Sequence, residues 1–151
     1  MLKVRRIDNT DDFFRLKDNW EDLLSSTRCD SVFLTWDWLY NWWQVYGGNK
    51  DLFIIVVEDE NKKLLGLAPL FSREINGILG RFKALELLGT GENKEDEVCS
   101  EFLDFIAYKK KEYEVIGSIF KFLIDNSDKW DVIQFQSVLK NSCISRHLRL
   151  L

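Results

Sequence analysis

The residues best suited to chemistry in this 151-residue chain are carboxylates. The stretch GTGENKEDEVCSEFLD, residues 89–104, holds Glu92, Asp96, Glu97, Glu101 and Asp104. Carboxylates can take a proton from an attacking amine or hydroxyl. They can also hold an ammonium group or sugar hydroxyls. Asp104 stands between Leu103 and Phe105 in EFLDFIA (101–107), a run that reads as a strand. Alternation along a strand points its side chain away from theirs. A carboxylate on a strand beside a cleft can have a raised pKa and serve as a base. The competing reading is an acidic solvated loop followed by a strand, with Asp104 facing water.

Other chemistries find less support. Cys29, Cys99 and Cys143 are odd in number and widely spaced, so neither a disulfide framework nor a metal motif is legible. No metal site is expected. Three reduced thiols fit a cytoplasmic protein. Cys99 has no histidine near it in sequence and reads as a buried or half-buried structural thiol. The single histidine, His147, reads as a helix-surface residue. The GTG at 89–91 lacks the Lys-Ser/Thr of a phosphate loop and the third glycine of a dinucleotide turn. It lets the chain bend after a strand. A net charge of −4 lacks the basic field that nucleic-acid binding needs. The N-terminus has no apolar stretch of a signal peptide, and no apolar run approaches the ~20 residues of a membrane span.

The elements that must position these residues follow from patterning. Leu2 to Ile7 alternates apolar and basic residues as a short strand. Phe13, Leu16, Trp20, Leu23 and Leu24 follow helical spacing and place a first helix at about 10–26. Thr35 caps a second helix, with Asp37 in its first turn, and Gly47-Gly48 stops it. Strands follow at 52–58, 63–75, 81–89 and 101–107, with Asn76-Gly77 marking a tight connection. Pro69 removes a ladder donor from the second of these strands and suits an edge or a bulge. A helix over 110–127 and a strand over 131–138 come next, and SCISRHLRLL begins a further helix. Short turns imply an antiparallel run, and the closing β-α-β a parallel crossover. The expected fold class is α+β: a mixed, mostly antiparallel sheet flanked by helices, in a single domain over 1–151.

The second helix carries an excess of aromatic residues: Trp36, Trp38, Trp42 and Trp43. On a helical wheel the apolar arc spans about 200°, against the ~100° stripe of a helix lying on one surface. Core burial accounts for Trp36, Leu39 and Trp43. Trp38 and Trp42 remain on the flank, where they can line a cleft or meet a neighbour.

Three blocks together carry a resemblance. FLTWDWLYNWW resembles the tryptophan-rich signature of the acyltransferase family named for CelD and BcsL, proteins linked to cellulose biosynthesis. LLGLAPLF resembles that family's proline-containing strand, and ELLGTGENKEDEVCSEFLDFIA its glycine-aspartate block with an acidic insert. The likeness runs from about Trp20 to Gln136. It implies a fold of the GNAT acyltransferase type, incomplete at the C-terminus, and a longer protein with a second such unit after this one. It implies acyl transfer from acetyl-CoA or another acyl-CoA to an amine or hydroxyl, in a polysaccharide-related setting. In this fold the CoA pyrophosphate sits at a glycine-rich turn opening the central helix. Here that turn is AYKKKEYEVIG, with Lys109, Lys110 and Lys111 but no Gly-x-Gly, so CoA is expected mainly on the second unit. Asp104 and Glu101 become catalytic candidates. Trp38, Trp42, Glu92, Asp96 and Glu97 become candidates for binding a small-molecule, glycan-like or lipid-like acceptor. The alternative is a non-catalytic GNAT-like module that binds a glycan, a peptide or its partner domain.

Overall fold

A computed structural model describes residues 1–29, 31–78 and 80–150. In chain order the elements are β1 (Lys3–Ile7), α1 (Thr10–Arg15), α2 (Lys17–Ser25), α3 (Trp36–Tyr46), β2 (Asp51–Leu52), β3 (Ile54–Glu58) and β4 (Leu64–Ala68). Then come β5 (Leu70–Gly77), β6 (Gly80–Leu87), β7 (Ile106–Ala107), α4 (Glu112–Asp125), β8 (Val132–Gln134) and α5 (Cys143–Leu148). The strands form two four-stranded sheets, ordered β1-β3-β4-β7 and β2-β5-β6-β8. Every strand pair is antiparallel except β6 with β8. The mixed, mostly antiparallel α+β class expected from the sequence is the class observed.

The two sheets share one bent hairpin. The apolar runs 52–58 and 63–75 read as single strands, but each breaks once. Leu52 pairs with Phe71 in one sheet, while Ile55–Glu58 pairs with β4 in the other. The breaks fall at Phe53 and Pro69. Proline has no N–H for the ladder. The neighbouring Leu70 carbonyl accepts from Phe53 N at 2.9 Å, and the Pro69 carbonyl accepts from Leu88 N at 2.8 Å. Pro69 thus marks a corner where both strands leave one sheet for the other.

Asn76-Gly77 is not the turn itself. Asn76 pairs with Arg81 and Gly77 with Gly80, so the connection lies at 78–79, and Leu79 is outside the described residues. A Cβ on Gly77 would lie 2.6 Å from the Phe82 ring, which explains the glycine there.

Helix α2 packs on β4 and β7, and α4 on β1, β3, β4 and β7. All five residues of β4 are buried, as a strand covered on both faces requires. α4 lies directly against Gly66, where an added Cβ would sit 2.1 Å from Val115 Cγ1.

Several expectations need correction. The single helix over 10–26 is two, broken at Leu16; Asn9 caps the first by accepting from Asp12 N at 2.9 Å. Of EFLDFIA only Ile106 and Ala107 are paired as a strand, and residues 101–104 are irregular. The crossover through α4 joins different sheets: β8 lies parallel to β6, and near β7 there is only a single parallel bridge, Leu103 with Val138. His147 is buried, stacked on Phe120 with ring centroids 4.9 Å apart. Cys99, expected buried or half-buried, is exposed, on a left-handed residue of the acidic loop with φ +51°. On α3 the buried tryptophans are Trp36 and Trp42, whereas Trp43 is half-buried. Both buried tryptophans have aromatic neighbours outside the helix. Phe13 receives Trp36 and Tyr40 edge-on, and Phe71 receives Trp42 with centroids 5.4 Å apart.

Candidate functional site

Tryptophan combines a large apolar ring with one N–H that needs an acceptor when buried. All six indole N–H groups here have one. Trp20 donates to Leu34 O at 2.9 Å, Trp36 to Phe13 O at 3.0 Å and Trp130 to Leu123 O at 3.1 Å. The remaining three stand on α3 and reach side chains: Trp43 to Thr10 Oγ1 at 3.1 Å, Trp38 to Ser100 Oγ at 3.1 Å and Trp42 to Glu92 Oε2 at 3.2 Å. The tryptophan excess on α3 is therefore a set of cross-links. Two of them hold the acidic loop against the helix.

That loop forms a wall. Glu92 also accepts from Val98 N at 3.0 Å, and the Tyr46 hydroxyl donates to Asp96 O at 3.3 Å. Between wall and helix lies a cleft of about 520 Å³, with Trp38, Trp42, Val45, Tyr46 and Val98 on its apolar side and Asp37 and Asn41 on its polar side. Trp38 and Trp42 thus line a cleft, one half-buried and one buried. Glu92 braces it. Asp96 and Glu97 are exposed and line neither this cleft nor the cavity described next.

A second cavity, of about 550 Å³, opens where Leu103 bridges Val138. Its walls include Phe102, Asp104, Leu139, Ser142, Cys143 and Arg146, with Cys29 and Ser31 opposite. Cys29 and Ser31 also line a shallow groove that shares Val32 and Thr35 with the aromatic cleft, so the two depressions adjoin. The rim is strained. Phe102, on its wall, has φ +56°, and Ser137, whose carbonyl accepts from Leu103 N at 3.0 Å, has φ +57°. Left-handed backbone at a bulky residue costs ~1–3 kcal/mol and gathers at functional sites.

Asp104 sits at the floor of this cavity, 5% exposed. Its Oδ1 accepts from Phe105 N at 2.9 Å and Ile144 N at 3.0 Å, and its Oδ2 from Cys143 N at 2.6 Å. Burial pushes its carboxyl above the usual carboxylate range, while the backbone N–H groups of Ile144, Cys143 and Phe105 pull against that shift. Its geometry is that of an anchor fastening the start of α5 to the loop before β7. Glu101, three residues earlier, is exposed. The five acidic candidates therefore separate: Glu92 braces α3, Asp104 anchors α5, and Asp96, Glu97 and Glu101 face solvent.

One buried ion pair went unnoticed in the sequence. Glu86, fully buried, accepts two hydrogen bonds from Arg73, from Nε at 2.9 Å and from Nη2 at 3.2 Å. Arg73 Nη1 donates to Gly91 O at 3.0 Å, tying the start of the acidic loop to the sheet. Gly91 has φ +82°, and a Cβ there would sit 2.5 Å from Glu86 Oε2. Lys50 Nζ lies 5.7 Å over the Trp42 ring and donates to Tyr46 O at 2.6 Å. Burial, and then the nearby Arg73 charge, push its ammonium below the ordinary lysine range. A charged residue inside the apolar strand ALELL requires a partner, and that rule was the available signal.

The start of α4 tests the fit of a CoA diphosphate. No glycine turn precedes it, and Lys111 caps it with no side-chain hydrogen bond. Its first turn carries Glu112 and Glu114, where the helix dipole would favour a bound anion. Glu112 is already paired with Arg146 at 2.6 Å. Two carboxylates in the place of an anion do not fit a diphosphate.

No protein-family model matches the chain, and no curated protein matches it. Among solved structures it is similar to a tetramutant of the BH1408 protein from Bacillus halodurans, at 12% identity over 98% of this chain and 90% of that one, with a TM-score of 0.53. It is also similar to a GNAT family acetyltransferase of Staphylococcus aureus subsp. aureus USA300_TCH1516, at 16% identity over 93% and 89% of the two chains, TM-score 0.48. Glucosamine-6-phosphate N-acetyltransferase from Arabidopsis thaliana is similar at 19% identity over 93% and 85%, TM-score 0.46. No described helix is long and apolar enough to cross a membrane. At these identities the likeness is one of fold, a mixed, mostly antiparallel sheet flanked by helices, which the chain shares with the BH1408 protein.

Proposed function

We propose that this chain is the acceptor-binding part of an acyl-CoA-dependent acyltransferase. It would be the N-terminal unit of a protein with a second GNAT-like unit, and that unit would hold most of the CoA. The observation that carries this reading is the aromatic cleft on α3, whose wall is held in place by indole and phenol hydrogen bonds. A preformed apolar cleft with a few polar groups at its rim is the usual form of a small-molecule site. Aromatic faces suit a sugar or a lipid-like group.

The acceptor's amine or hydroxyl would attack the acyl thioester carbonyl, expel the CoA thiol and lose a proton to a base. Glu101, exposed and next in sequence to Phe102 on the cavity wall, would take that proton. Asp104 would act by holding the cavity wall that α5 provides.

The test is release of CoA thiol from acetyl-CoA by the two-unit protein with a panel of amino sugars, amines and alcohols. Trp38→Ala is expected to raise the acceptor KM at least tenfold and to leave the acetyl-CoA KM unchanged. No release with any acceptor would favour the non-catalytic binding module. The poor fit of a diphosphate at α4 is what keeps that second reading in view.

A further inference from the structure

Outside the aromatic cleft, three groups from distant parts of the chain meet in one place. Among the described residues, Cys29 Sγ, Cys143 Sγ and an Asp104 carboxylate oxygen lie within 4.8 Å of one another. Cys29 follows α2, Asp104 precedes β7 and Cys143 opens α5. The Cys29 thiol points at Asp104 Oδ2 from 3.9 Å. All three line the 550 Å³ cavity.

The geometry points to a binding site for a thiophilic divalent cation of the zinc class, formed by Cys29, Cys143 and Asp104. Tetrahedral zinc with bonds of ~2.3 Å to sulfur and ~2.0 Å to oxygen sets its ligand atoms roughly 3.5–3.8 Å apart. Small side-chain rotations from the present spacing reach that. Three protein ligands leave the fourth position open toward the cavity, the arrangement of a zinc site that admits water or a ligand.

The surroundings match such a site. Metal-binding carboxylates are normally held by outer hydrogen bonds. Asp104 is fixed by three backbone N–H groups and keeps one lone pair on Oδ2. Arg146 Nη2 stands 3.5 Å from Cys143 Sγ and is itself held by Glu112 at 2.6 Å. Two thiolates and a carboxylate carry three negative charges. A divalent cation offsets two of them, and the Arg146 guanidinium, shared with Glu112, faces the third, so little charge is left uncompensated at the cavity wall. Binding releases the two thiol protons to solvent. The cation would join α2, α5 and the loop before β7 across the cavity. This goes beyond the acyltransfer reading and does not depend on it.

The test uses the full chain, reduced and stripped of metal with a chelator, then titrated with zinc or cobalt. One ion per chain is expected, with thiolate-to-cobalt charge-transfer absorption and the visible bands of tetrahedral cobalt. Cys29→Ser and Cys143→Ser should each weaken binding more than ~100-fold, beyond the loss seen for outer-shell changes. Cys99→Ser, at the exposed thiol, should bind as the parent does. Cys29 is only half-buried, so its variant decides the matter if Cys143→Ser does not fold. Equal zinc uptake by Cys29→Ser and the parent would overturn the site. So would a chain that takes up no zinc once reduced, whether or not Cys29 and Cys143 are found joined as a disulfide beforehand.

Discussion

Replacing Asp104 by Asn separates an anchoring carboxylate from a catalytic one. Asn keeps one carbonyl oxygen, which can still accept from Phe105 N and Ile144 N. Its NH₂ group then faces the Cys143 N–H, now 2.6 Å from Oδ2, and sets donor against donor. One hydrogen bond to a charged group is lost, about 1.5–3 kcal/mol, and a buried N–H is left without a partner, about 1–3 kcal/mol. Relief of the buried charge offsets part of this, since burial alone pushes the Asp104 carboxyl up. A net loss of roughly 2–4 kcal/mol is expected. For a chain of this length that lowers Tm by roughly 4–16 °C. Urea and thermal melts followed by circular dichroism, with chelator present to remove any metal contribution, measure it. A loss below ~0.5 kcal/mol together with a large fall in transfer activity would refute the anchoring role and return Asp104 to proton transfer.

Three further outcomes follow from the same contacts. Arg73→Met leaves Glu86 buried without its partner and should cost about 3–5 kcal/mol in urea unfolding, with much of it recovered in Arg73→Met/Glu86→Met. Because the Lys50 ammonium is held below the ordinary range, its folded-state pKa lies under its unfolded one. The parent therefore gains stability as pH rises through that lowered value, so the stability advantage expected of Lys50→Met at neutral pH should narrow in alkaline melts. At Phe102, half-exposed with φ +56°, glycine should give a protein about 1 kcal/mol more stable than alanine in thermal melts, since only glycine adopts that backbone freely.

Much of the fold was legible because local rules and tertiary packing agreed. Thr35 capped α3 as its type predicts, accepting from Trp38 N at 3.3 Å. Pro69 marked a break in strand pairing for the reason any proline does. The irregular path of 101–104 was not legible. Its apolar pattern, Phe102-Leu103-Asp104-Phe105, matches a strand, yet Phe102 takes a left-handed turn and Asp104 turns back to the amides of α5, which lie about forty residues away. A still longer separation along the chain hid the meeting of Cys29 and Cys143, since no spacing motif records a contact made only by the fold. On α3 the periodicity located an apolar arc but not its centre. The contact of Phe71 with Trp42 comes from a strand that the helix sequence does not contain. Glu92 was named together with Asp96 and Glu97 as a binding group. It accepts from an indole N–H and a backbone N–H, and this could not be told from its neighbours Asp96 and Glu97 by residue type alone.

The central claim is that this unit holds the acceptor and that acyl-CoA is held mainly elsewhere. Calorimetric titration of acetyl-CoA tests it directly, with residues 1–151 alone and with a longer protein that includes the proposed second unit. The account predicts no measurable binding to 1–151 and saturable binding to the longer protein. Micromolar binding to 1–151 alone, abolished by replacing Lys109, Lys110 and Lys111, would contradict it and place the diphosphate at the start of α4.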